Sequence, residues 1–95
     1  MEPIQHLIDS NYDNFSGVNL SGADFSGAYL FGISFFKANL SGANFSQANL
    51  SGANLSQANL SYANFSGADL FETDLSKANL FETNFSGVNL YEAYF

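Results

Sequence analysis

From Asp13 to Phe95 the chain sets a large apolar residue at every fifth position, and each of these centres, from Phe15 to Phe95, is Leu or Phe. Two residues before a centre stands a small residue, mostly Ala, with Val18, Ile33, Thr73, Thr83 and Val88 as variants. Between them lies Asn or Asp, except at Tyr29, Ser34 and Tyr94. After the centre comes Ser or an aromatic (Phe31, Phe36, Phe71, Phe81 or Tyr91), then Gly in half the repeats and otherwise Lys, Gln, Glu or Tyr. A period of five fits neither the helix nor the extended strand. Apolar, polar, apolar reads as a minimal strand alternating in, out, in. The remaining pair is turn chemistry. In Leu-Ser-Gly-Ala the Gly stands third in a four-residue turn, where type II geometry requires a positive φ. The Lys, Gln, Glu and Tyr repeats are expected to turn in a type I-like way, because a β-carbon makes positive φ costly.

Strand and turn, repeated four times, close a square, and the sequence contains its own test of that geometry. Residues twenty apart would stack on one wall, about 4.8 Å from coil to coil. Phe25, Phe45, Phe65 and Phe85 then form one column. Leu20, Leu40, Leu60 and Leu80 form a second, and Leu30, Leu50, Leu70 and Leu90 a third. The fourth is mixed: Phe15, Phe35, Leu55, Leu75 and Phe95. Three uniform columns point to a twenty-residue period. The small residues fit where four walls converge, so Ile33 beside Phe35 and Phe36 predicts a local bulge. Outward Asn side chains are expected to bond to their counterparts in the next coil. Asp13, in a small-residue slot, reads as a ragged start.

Residues 1–12 lack the repeat. Pro3 suits a first helical turn, and Ile4, Leu7 and Ile8 fall at helical spacing. This stretch is read as an N-terminal cap of one to two helical turns, followed by the repeat domain 13–95. His6, the chain's single His, reads as a surface residue of that cap.

The pattern at Ala43-Asn44-Phe45-Ser46-Gln47 and Ala53-Asn54-Leu55-Ser56-Gln57 resembles the pentapeptide-repeat family, and the resemblance covers Asp13 to Phe95. It implies an all-β right-handed quadrilateral parallel β-helix, here of about four coils of twenty residues. Most members of that family have no assigned activity. Some family members resemble DNA in shape and charge and act on type II topoisomerases; others are regulatory binding proteins.

Composition narrows the chemistry. Nine carboxylates face Lys37 and Lys77, with no Arg and a net charge of -7. Such a chain repels nucleic acid, whose binding requires neutralised phosphates. There is no Cys for disulfides or thiolate metal sites, and no apolar run approaches the roughly 20 residues of a membrane span. The start lacks a basic and apolar leader pattern, so a cytoplasmic location is expected. Ser is plentiful, but nucleophilic catalysis needs a base within hydrogen-bond reach and His6 lies in the cap. No enzyme activity, cofactor or metal is expected. The acidic surface residues Asp69, Glu72, Asp74, Glu82 and Glu92 could gather a hard cation, yet solvent covers like charges equally well. Asn-Leu-Ser and Asn-Phe-Ser sequons are a by-product of the repeat.

The outward aromatics are more telling, because contiguous exposed apolar residues mark contact surfaces. Phe71, Phe81, Tyr91 and Tyr94 gather late in the chain and, with the last centre Phe95, form the candidate interaction patch. The expectation is an acidic solenoid presenting a rigid surface to a protein partner. The alternative is a DNA mimic acting on a topoisomerase such as gyrase, against which a span of about 20 Å is short beside a DNA turn of about 34 Å. Ice binding by the column Ser26, Ser46, Ser66 and Ser86 is a remote alternative. The last coil leaves Leu80, Phe85, Leu90 and Phe95 open, so a homodimer through that end is expected; it would double the span.

Overall fold

A computed structural model of the chain describes residues 13–95. The expected cap over residues 1–12, with His6, lies outside the described residues. The described chain winds in flat coils, and each wall is pinned to the next coil by parallel bridges between residues twenty apart. One wall reads Asn14, Ser34, Asn54, Asp74, Tyr94, and the next Asn19, Asn39, Asn59, Asn79. With a turn every five residues, only the polar residue of each repeat pairs in this way.

One repeat shows why the motif takes its form, since all five of its backbone N–H groups are accounted for. The Ala43 N–H closes the preceding turn on the Leu40 carbonyl at 3.0 Å. Asn44 donates back to Ala23 at 2.9 Å, and Phe45 donates forward to Asn64 at 2.6 Å. The Gln47 N–H reaches Ser66 at 2.9 Å. The fifth donor, the Ser46 N–H, bonds to Oδ1 of Asn44 at 2.9 Å. Backbone donors left unpaired in an interior are costly. Asn or Asp is therefore favoured at this position, because its side-chain oxygen reaches the N–H two residues on. The same bond recurs at Asn14, Asn49, Asn64 and Asp74. The expected inter-coil Asn bonds appear at Asn84 to Asn64 (3.3 Å) and Asn89 to Asp69 (3.1 Å). Closing the local turn is the commoner role.

The turns correct a second expectation. All sixteen residues in the fifth position have positive φ: the glycines lie at 67–71°, and Lys37, Gln47, Gln57, Tyr62, Glu72, Lys77, Glu82 and Glu92 at 55–63°. No type I-like set exists among the described residues. The reason is the stacking. Gly27 and Gln47 occupy one column and donate alike to Ser46 and Ser66, at 2.8 and 2.9 Å. A different turn at one level would break the rungs above and below it, so the rungs outweigh the left-handed cost of about 1–2 kcal/mol.

The interior is a single core of stacked layers. Phe25, Phe45 and Phe65 are fully buried, and their rings stack with Phe85 at 4.8–5.5 Å between neighbours. Phe15 and Phe35 stack on the opposite wall at 5.6 Å, and Phe35 meets Phe25 and Phe45 edge-on across the interior. Leu30, Leu40, Leu50, Leu60 and Leu70 are buried, while Leu20, Leu80 and Phe85 are partly so and Leu90 is exposed. Ile33 is buried without the expected bulge: Ser34 and Asn54 hold their rungs at 2.9 Å on either side. It stacks above Ala53, whose small side chain leaves it room. Thr73 and Thr83 are accepted in small-residue slots because their hydroxyls donate to the Leu50 and Leu60 carbonyls at 2.7 and 2.8 Å. Asp13 is not ragged; its carbonyl accepts the Ser34 N–H at 2.9 Å.

Candidate interaction surface

Four walls leave four outer corners, each a column of residues at twenty-residue intervals. The corner between the Leu30 and Phe35 walls carries Phe31, Ser51, Phe71 and Tyr91. The Phe71 and Tyr91 rings stack at 5.9 Å, 7° from parallel. Tyr91 is exposed and Phe71 half-buried beneath it, while Phe31 is 72% exposed. Tyr94 and Phe95 follow on the adjoining wall, 62% and 66% exposed.

Phe81 does not join them. It stands half a coil away, on the diagonally opposite corner, where its ring meets Tyr62 edge-on at 5.6 Å. The sequence reading grouped it by nearness along the chain. The signal that separates it was available: residues ten apart lie on opposite corners. The same arithmetic reveals the Tyr62–Phe81 pair, which the reading missed.

Charge is unevenly placed. Asp69, Glu72 and Asp74 flank Phe71, and Glu92 follows Tyr91; Glu82 accompanies Phe81. Both lysines sit on a third corner, where the Lys37 ammonium lies 5.2 Å from the centre of the Phe36 ring. The fourth corner, with Ser26, Ser46, Ser66 and Ser86, carries no charge. There the Gln47 amide lies over Gly67, in the place a β-carbon would occupy. Asp69 accepts bonds from the Phe71 N–H and the Asn89 amide. Asp24 is held below the usual carboxylate range, first by the Ser26 hydroxyl and then by the Ser26 N–H, at 2.7 and 2.9 Å. No His/Cys/Asp/Glu group with metal-binding geometry occurs among the described residues, and none of their helices is long and apolar enough to cross a membrane.

The family's sequence model for pentapeptide repeats matches residues 14–35, 38–76 and 72–95 in eight copies. The chain belongs to the pentapeptide-repeat family. The crystal structure of alr5209, a pentapeptide-repeat protein from Nostoc PCC 7120, is 34% identical over 90% of this chain and 74% of its own, with a TM-score of 0.84. AT2G44920, a pentapeptide-repeat protein of the Arabidopsis thaliana thylakoid lumen, is 36% identical over 85% of this chain and 60% of its own, with a TM-score of 0.51. QnrB1, a plasmid-mediated fluoroquinolone resistance protein, is 32% identical over 84% of this chain and 46% of its own. Its TM-score is 0.48. No curated protein matches the chain.

Proposed function

We propose that this pentapeptide-repeat chain is a non-catalytic cytoplasmic binding protein whose rigid, acidic surface docks a protein partner. The coil is read as right-handed, with about four turns of twenty residues and residues 1–12 as its cap. One observation carries the functional reading: the stacked Phe71–Tyr91 pair stands at an outer corner instead of in the core. Two rings held in register by the backbone need little further ordering on binding, which favours affinity. The patch is Phe71, Tyr91, Tyr94 and Phe95, without Phe81. Partner capture from lysate should fall when Phe71→Ser and Tyr91→Ser are combined. Equal recovery would mean that the rings only cover the corner.

Net charge favours a second reading, mimicry of DNA toward a type II topoisomerase. Four coils at sheet spacing span about 20 Å, short of one DNA turn, about 34 Å. A symmetric pair joined at the last coil would span about 40 Å and exceed that length. Light scattering should then show a dimer that Tyr94→Lys dissociates. A monomer at every concentration, with no effect on supercoiling by gyrase, would remove this reading. Ice binding by the Ser column ranks below both, and ice crystals growing as smooth discs would dismiss it.

A further inference from the structure

We propose that the solenoid docks two copies of one partner at once, on the diagonally opposite corners that carry Phe71 and Phe81. The proposal rests on the partner-docking reading and adds a second site of the same chemistry to it. The observation behind it is a duplicated turn. Leu70-Phe71-Glu72-Thr73 and Leu80-Phe81-Glu82-Thr83 repeat one another, and they hold the chain's only Phe-Glu pairs and its only threonines. Their local structures match bond for bond. The Phe71 and Phe81 N–H groups donate to Oδ1 of Asp69 and Asn79 at 3.0 and 3.1 Å. Glu72 and Glu82 take the left-handed conformation, with φ at 58° and 55°. Each turn ends on a Thr hydroxyl that donates to a carbonyl of the coil above, Leu50 or Leu60, at 2.7 and 2.8 Å. Each Phe ring also meets one Tyr ring, Tyr91 at 5.9 Å and Tyr62 at 5.6 Å.

Ten residues make half a coil, so the second turn is the first rotated by half a revolution and shifted about 2.4 Å along the stack. The core lies between the two corners, and no single compact surface covers both. What one corner binds the other binds too, facing the opposite way. Tyr62, Phe81 and Tyr91 are exposed, a Glu follows each Phe, and both lysines stand on a third corner. Complementarity therefore asks the partner for an apolar side chain with a cation beside it. The Thr bonds pin each turn to the stack, so docking requires little further ordering. The corners differ in one respect: Phe71 and Tyr91 lie nearly parallel, whereas Phe81 meets Tyr62 edge-on. The two sites are alike in chemistry and unequal in affinity.

The test titrates the whole chain with a synthetic peptide of repeated Leu-Lys-Gly and follows both corners by NMR of the aromatic rings. Tyr62 and Phe81 should shift along with Phe71 and Tyr91, while Phe36 on the lysine corner stays in place. A Ser-Lys-Gly peptide lacks the apolar side chain and a Leu-Glu-Gly peptide lacks the cation. Both should bind more weakly, the second by about two- to five-fold, the range of an exposed cation–π contact. Phe81→Ser should erase the response at Tyr62 and leave that at Tyr91. Phe71→Ser combined with Tyr91→Ser should do the converse and spare Phe81. Should either variant unfold, Glu82→Gln should weaken binding at Phe81 by about two- to five-fold without changing the response at Tyr91. A response at one corner only, or at neither, overturns the proposal. So does loss of both responses through Phe81→Ser alone, which would mean one ligand wrapped round the stack, and so does equal binding of the Leu-Glu-Gly peptide. Partner capture that depends on Phe71 and Tyr91, beside a silent Phe81 corner, leaves the docking reading standing and defeats this one.

Discussion

Phe45 and Phe95 occupy the same position of their respective repeats, yet one is fully buried and the other 66% exposed. The middle of the described chain and its last coil differ in neighbours, not in pattern. Phe45 has a coil on each side and rungs to both, through Asn44 to Ala23 and through its own N–H to Asn64. In the last coil Asn84 and Asn89 still reach back to Ala63 and Ala68, but no forward rung leaves Leu80, Phe85 or Leu90. A repeat therefore has little stability of its own. Stability is held at the contacts between coils, as expected of a one-dimensional stack.

The largest effect should come from Phe45→Asp, which buries a carboxylate with no partner between two Phe rings. That cost rivals the whole stability of a small domain, about 5–15 kcal/mol, and circular dichroism should show an unfolded chain. A cooperative melt near that of the parent would refute the inward assignment. Next comes a matched pair along one column. Phe65→Ala should cost about 3–5 kcal/mol, and Phe85→Ala, half open, about 1–2 kcal/mol. Equal losses in urea unfolding would mean that the last coil is as well supported as the middle.

Asn44→Ala should cost about 1 kcal/mol, because it removes the acceptor of the Ser46 N–H. The loss is that of a turn bond, so Asn44→Asp, which keeps the oxygen, should restore most of it; failure of that rescue would return the role to inter-coil bonding. Gln57→Gly should have the opposite sign. Relief of left-handed strain exceeds the added freedom of the unfolded chain, for a net gain of about 0.5 kcal/mol. A destabilised Gln57→Gly would show that the side chain contributes more than its strained backbone costs. The smallest effect is electrostatic. Asp24 has a depressed pKa in the fold, so its contribution is present above the usual carboxylate range. It is lost as pH falls through the lower folded value. The parent's melting temperature should therefore drop slightly faster below about pH 4 than that of Asp24→Asn; parallel profiles would show that the Ser26 bonds stabilise both forms alike.

The register was legible because Leu and Phe segregate into columns of period twenty, which only a square accounts for. The turn at Gln47 was not, because propensity weighs one residue alone whereas the rungs from Gly27 to Ser46 and from Gln47 to Ser66 act on a column. The role of Asn44 was missed for a related reason. An outward polar residue looks free until the N–H groups of a repeat are counted one by one. The patch is not legible at Phe81, because nearness along the chain is not nearness in space when residues ten apart lie on opposite corners. Glu72 and Glu92, by contrast, needed only the column rule to be placed on the Phe71–Tyr91 corner.

The bridges between residues twenty apart also govern how such a chain can change length. Removing one repeat, about a quarter turn in a four-walled coil, keeps every later centre pointing inward but moves each later outward residue to the next wall. Removing four restores every corner and merely shortens the stack. Length variation thus has two scales: the smaller preserves the core, and the larger preserves the face shown to other molecules. A slip of one repeat between Ser51 and Phe71 would leave a folded solenoid whose aromatic column is broken across two corners.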